Sequence, residues 1–319
     1  MPSIRAAAGS DCATASPRGL PAPAAPAVAA GVAAMVCVGG SVAVSAALAT
    51  GPLFTAEAVR YALACLLLLA LGRASGRRLV MPRGTEWLWL LGIAATGLVL
   101  FNVGLVQGGR HAEPAVLGVA VACVPAVLAA AGPLLEGTRP RPAAVAAALV
   151  VTCGAVLVAG LGRSDTLGIV WAAVVFGCEV GFTLLAVPVL GRHGAWGVSV
   201  HATWLAAVIF CGLGLAAEGP AAVTRLSRAD WLAVAYLAVA VTAVAFLLWY
   251  SSVRRLGASR AGLLTGVAPV AAAAAGVLLG GPAPGPLVWA GIVVVAAGLA
   301  LGLASHPGRS GAPTDALTP

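Results

Sequence analysis

EWLWLLGIA, residues 86–94, returns in altered form 144 positions later as DWLAVAYLA, residues 230–238. Laid on itself at that offset, the chain keeps register without a gap to the end of its last apolar run. Trp87 meets Trp231, Arg110 meets Arg254, Gly118 meets Gly262, Pro125 meets Pro269, Gly132 meets Gly276, Pro142 meets Pro286 and Gly154 meets Gly298. Ala-on-Ala matches carry little weight in so Ala-rich a chain, so the repeat rests on the Trp, Arg, Pro and Gly pairs. Two related halves follow, 27–161 and 162–305, between tails 1–26 and 306–319.

Hydrophobic residues make up 61% of the 319 residues, charged ones 9%, and the mean hydropathy is +1.03. That composition belongs to a membrane protein. A hydrocarbon core about 30 Å thick takes about 20 apolar residues per helix, and lipid solvates no backbone, so the apolar runs must be helices. The expected spans are 27–49, 53–71, 87–107, 112–131, 142–161, 167–190, 198–217, 231–250, 259–280 and 286–305. Each half therefore holds five. Five is odd, so equivalent helices cross the bilayer in opposite directions. The fold class is all-α integral membrane: ten transmembrane helices as two inverted five-helix repeats.

All 18 basic residues are Arg. With the N-terminus inside, 13 fall in inner segments and four in outer ones, while Arg60 lies within a helix. Cytoplasmic segments favour Arg and Lys, so both termini are expected in the cytoplasm. The net charge of +8 is thereby accounted for by topology, and no nucleic-acid partner is expected. The stretch PAPAAP and the lack of an apolar core behind Arg5 make residues 1–26 read as a disordered tail, not a cleaved signal. The seven cysteines show no CxxC spacing and read as small packing residues, so neither disulfide nor metal is expected. No GxxxxGK[ST] occurs and the chain has no Lys, which argues against ATP-driven transport. No cofactor is called for.

Inverted repeats mark many secondary transporters, because two such halves can exchange conformations and open a midplane site to each side in turn. The rival readings are an integral-membrane enzyme acting on a lipid-linked substrate and a non-transporting scaffold or sensor. Scattered carboxylates weigh against the first and short loops against the second.

Glu179 stands in the apolar stretch 171–190. A charge near the bilayer centre costs at least about 2.5 kcal/mol, so it must face protein or water. It either hydrogen-bonds a neighbouring helix in its acid form, or lines a cavity where it binds a substrate amine or carries a coupling proton. Glu57 and Arg60, three apart near the outer end of the second span, can pair. The pair reads as interfacial, with Arg60 snorkelling outward; the alternative is an extracellular gate or a contact for a substrate carboxylate. Asn102 in the third span is a helix link or a pore-lining amide. Pro125 and Pro269, at matching mid-helix positions, are expected to kink their helices around a central site. His201 reads as a packing residue, and Trp249 and Tyr250 as part of an aromatic belt. Gly262, Gly266, Gly276 and Gly280 form a small-residue stripe on the ninth span.

Three stretches resemble the drug/metabolite transporter superfamily, specifically its EamA-type exporters: AEAVRYALACLLLLAL with Arg60, LGVAVACVPAVLAAAGPLLEG with Pro125 and Glu136, and PAAVAAALVVTCGAVLVAG with Gly154. The sequence departs from that pattern in VCVGGS at 36–41, which lacks a tryptophan, and in Gly280-Gly281, where a glutamate is usual. The second departure suggests that Glu136 serves the cytoplasmic loop. The resemblance implies a secondary transporter of the inner membrane. It would export a small amphipathic metabolite, such as an amino acid or related compound, with lipid and that substrate as partners and protons as candidate coupling ions.

Overall fold

A computed structural model of the chain describes residues 25–41, 44, 51–278, 280 and 283–304. The tail expectations, apart from Ala25 and Pro26, lie outside the described residues, as do Cys12, Gly281 and most of 42–50. The spans are α1 (Ala25–Gly40), α2 (Leu53–Ala74), α3 (Glu86–Gly108), α4 (Pro114–Leu135), α5 (Pro142–Ala159), α6 (Thr166–Leu184), α7 (Val187–Ala217), α8 (Arg228–Leu256), α9 (Ala258–Leu278) and α10 (Pro286–Ala304). Among the described residues, α2 to α10 are long and apolar enough to cross a membrane, and α1 is a shorter apolar helix. No strand occurs among them beyond a single bridge between Ala112 and Ser164.

Helix starts follow local chemistry, and the repeat governs it. Pro142 and Pro286 open α5 and α10, where a missing N–H costs nothing. The Glu86 carboxylate accepts from Arg83 N at 2.8 Å, and Asp230 accepts from Ser227 N at 2.8 Å; only α8 completes a capping box, with Ser227 Oγ accepting from Asp230 N at 3.2 Å. Asp165 accepts from Gly168 N at 2.8 Å and caps α6. That amide, and then His111, hold the Asp165 carboxyl below the usual carboxylate range.

The eighth span runs six residues further than expected, to Leu256, and the sixth and seventh divide at a different place. The sixth ends at Leu184, not 190, and the seventh begins at Val187, not 198. Pro188 explains the first: its ring clashes with the carbonyl four residues back and it offers no N–H, so the helix stops ahead of it. A new segment then runs to Gly194, whose φ of 66° bends the chain into the long remainder of α7.

The halves interlock. α1 packs on α8 and α9 of the second half, and α6 packs in the equivalent way on α3 and α4 of the first. The mates α2 and α7 lie together, as do α5 and α10. In the α5–α10 seam a Cβ on Gly154 would meet Val295 N and Gly291 O, and one on Gly298 would meet Val151 N, Val151 being the mate of Val295. Backbones therefore touch twice, in symmetry-related places. The α9 stripe is used only in part: Gly262 abuts Leu128 and Gly266 abuts Val151, whereas Gly276 and Gly280 meet no described atom within 4 Å.

The regular helix is broken at matching points. Residues 93–100 of α3 and 237–244 of α8 are π-helical, offset by the same 144 positions. α4 is interrupted at Cys123, and α9 passes through a 3₁₀ turn at 264–266. Pro125 and Pro269 sit just past these interruptions, where their missing N–H groups are tolerated.

Candidate functional site

A cavity of about 90 Å³ opens between the halves, with room for roughly three ordered waters. Its wall is drawn from α1, α2 and α3 of the first repeat and α6 and α8 of the second. Most of the wall consists of repeat mates: Met35 with Glu179, Val38 with Phe182, Gly97 with Val241, Phe101 with Ala245 and Asn102 with Phe246. Gly97 and Val241 lie inside the two π-helical stretches, which widen each helix where it borders the cavity. Arg60, Tyr61 and Trp249 complete the lining.

The structure thus brings Glu179, Arg60 and Asn102 to one wall. Glu57 stands behind Arg60, and both of its oxygens accept from Arg60 Nη1 at 3.2 Å. Arg60 Nε donates to Thr242 Oγ1 of α8 at 3.0 Å, and the guanidinium lies 5.1 Å from the centre of the Tyr61 ring. With Arg60 6% and Glu57 3% exposed, the pair is buried. The expectation that Arg60 snorkels to the interface is therefore corrected: a counterion on its own helix and a hydroxyl on α8 hold it inward. Asn102 Nδ2 donates to Tyr61 Oη at 2.9 Å and to Leu98 O at 2.7 Å, so it both links helices and lines the cavity.

Of the eight described acidic residues, seven are engaged. Glu57 pairs with Arg60, Glu86 with Arg192, and Glu113 with Arg163 at 3.0 Å. Asp165 and Asp230 cap their own helices. Glu136 accepts from Ala258 N at 2.7 Å and so caps α9 from the end of α4, while Glu218 accepts from Phe54 N and Thr55 N, both at 2.9 Å, at the start of α2. Glu179 alone makes no hydrogen bond or ion pair with any described residue, and it borders the cavity. Since α6 is shorter than expected, Glu179 lies five residues from that helix's end rather than at its centre.

Pro125 and Pro269 do not belong to the cavity's described lining, and no lining residue comes from α4 or α9. His201 is buried against Val80 O at 2.9 Å and Trp204 Nε1 at 3.2 Å, in keeping with packing. The aromatic-belt reading of Trp249 and Tyr250 is corrected. Trp249 is buried, lines the cavity and donates to Thr183 Oγ1 at 3.2 Å, and Tyr250 Oη donates to Phe182 O at 3.2 Å. Phe182, Phe246, Tyr61 and Thr242 escaped sequence reasoning, since apolar aromatics and a lone Thr are unremarkable in an apolar chain. The repeat offset was the signal that points to two of them, because Phe182 and Phe246 are the mates of Val38 and Asn102.

Comparison with known proteins agrees with this architecture. The model of the EamA-like transporter family matches the chain twice, over residues 25–160 and 166–303. The chain is 27% identical over 249 residues to "Uncharacterized transporter YetK" of Bacillus subtilis (strain 168), covering 75% of each protein. A solved crystal structure superposes with a TM-score of 0.73 at 23% identity, covering 86% of this chain and 96% of the other, which speaks to fold alone. With both repeats matched, a multi-pass membrane architecture and a cavity between the halves, the chain belongs to the EamA-like transporter family.

Proposed function

We propose that this membrane transporter is a secondary active carrier of the plasma (inner) membrane, with both termini cytoplasmic. It exports a small amphipathic metabolite, an amino acid or related compound, by alternating access to the cavity, with the proton as candidate coupling ion. Glu179 carries the reading: it is the one described carboxylate without a partner, and it borders a cavity walled by both repeats. A carboxylate left unpaired inside a protein is costly unless a ligand or a proton completes it. Glu57 and Arg60 set the charge of the adjoining wall, and Asn102 positions the Tyr61 hydroxyl. Pro125 and Pro269, beside paired interruptions, give each half a place to bend during exchange.

The test is transport by the purified chain in proteoliposomes, with and without a pH gradient, screening radiolabelled amino acids and amines. Glu179→Gln preserves shape and hydrogen-bonding capacity but cannot ionise. It should slow transport at least tenfold with normal insertion, while Glu179→Asp keeps partial activity. Wild-type rates and an unchanged pH profile in Glu179→Gln would remove Glu179 from the mechanism.

A further inference from the structure

The charges around the cavity do not balance. Arg60 brings one positive charge, but Glu57 cancels it through two contacts at 3.2 Å, and Thr242 takes another of its N–H groups. Asn102 and the Tyr61 hydroxyl are neutral and already bonded to each other. Glu179 faces the same space with no protein counterion among the described residues. With its carboxylate ionised, the walled space therefore carries one net negative charge.

The rest of the wall is aromatic. Tyr61, Phe101, Phe182, Phe246 and Trp249 surround the space, and the Phe182 and Phe246 ring centres are 4.9 Å apart. Such rings accept an apolar body and offer their negative faces to a cation. No described lining residue supplies a cationic group free of a counterion, so nothing is ready to receive a substrate carboxylate.

Resting on the carrier reading above, and narrowing its substrate class from amino acids to the related amines, we infer that the cavity selects monocationic amines with an apolar body over zwitterions and anions of the same shape. A monocation brings the net charge of the walled space to zero. A zwitterion leaves it at minus one, and its carboxylate must compete with Glu57 for a guanidinium already engaged. An anion adds a second negative charge beside Glu179, and like charges in a poorly hydrated space repel strongly.

Matched ligands test this directly. Phenethylamine, phenylalanine and 3-phenylpropanoate share one body and differ in charge. Isopentylamine, leucine and 4-methylpentanoate do the same with a smaller body. Equilibrium binding of each radiolabelled compound to the purified full chain should show at least one amine held tenfold or more tightly than both its partners. Glu179→Gln should abolish that preference, and Glu179→Asp should retain part of it. Tighter binding of phenylalanine or leucine, equal binding within both series, or no amine binding in either would overturn the inference. Amino-acid transport persisting alongside a zwitterion preference would sink charge selection and leave the carrier reading standing. Proteoliposomes that move none of the six compounds, with an amine still bound preferentially, would sink the carrier reading instead.

Discussion

At the scale of single residues, Glu57 and Arg60 show how a buried charge is made tolerable. Each is almost wholly enclosed, and each relies on the other, with Thr242 satisfying a further guanidinium N–H. Removing one partner strands the other, which is typically worse than removing both. Glu57→Gln should therefore destabilise the protein by about 3–5 kcal/mol. Glu57→Gln combined with Arg60→Met should recover most of the loss. Thermal unfolding of the detergent-purified variants checks this, and a double variant as unstable as Glu57→Gln alone would refute it. The pairing itself was legible from i,i+3 spacing. The inward turn of Arg60 was not, because Thr242 lies 182 residues away and only the packing of α2 on α8 brings it close.

Among the elements, the seam between α5 and α10 has the least tolerance. Gly154 and Gly298 let two backbones touch at two places related by the repeat, and any side chain there must push the helices apart. Gly154→Val and Gly298→Val should each cost about 1–3 kcal/mol or more by overpacking. Both should lower the yield of monodisperse protein in size-exclusion chromatography. Gly276→Val, the variant of a stripe glycine with no described atom within 4 Å, should behave as wild type. Normal behaviour of both Gly154→Val and Gly298→Val would show that the seam relaxes. The sequence displayed these glycines as a matched pair and displayed α9 as a stripe, yet gave no means of ranking them, since close approach is a property of two helices. The π-helical stretches were equally hidden: Ile93–Leu100 and Leu237–Val244 contain no proline, and Gly97 in the first has no glycine mate in the second.

For the whole molecule, the contacts between loops respect the alternation of the spans. Glu113 with Arg163 and Glu218 with Thr55 join loops assigned to the outer face, while Glu86 with Arg192 and Glu136 with Ala258 join loops assigned to the inner face. The proposal that the Arg-rich face is the cytoplasmic one rests on the Arg distribution. In a background without native cysteines, Arg139→Cys and Arg255→Cys should resist an impermeant thiol reagent in intact cells, whereas Arg225→Cys should be labelled. The opposite pattern would invert the molecule.

Composition and the 144-residue offset by themselves determined that this chain is a helical membrane protein of two inverted halves. Apolar length and repeated Trp, Arg, Pro and Gly are written directly in the residues and need no partner to be read. They also singled out Glu179, because a carboxylate in an apolar span is conspicuous. The tertiary structure alone decided that Glu179 is unpartnered, that Arg60 is held inward by Thr242, and that Trp249 belongs to the cavity and not to an interface. Each of those depends on which helices meet across the junction of the halves. That is a long-range packing outcome, and in lipid, where apolarity does not rank one helix face above another, no local pattern encodes it.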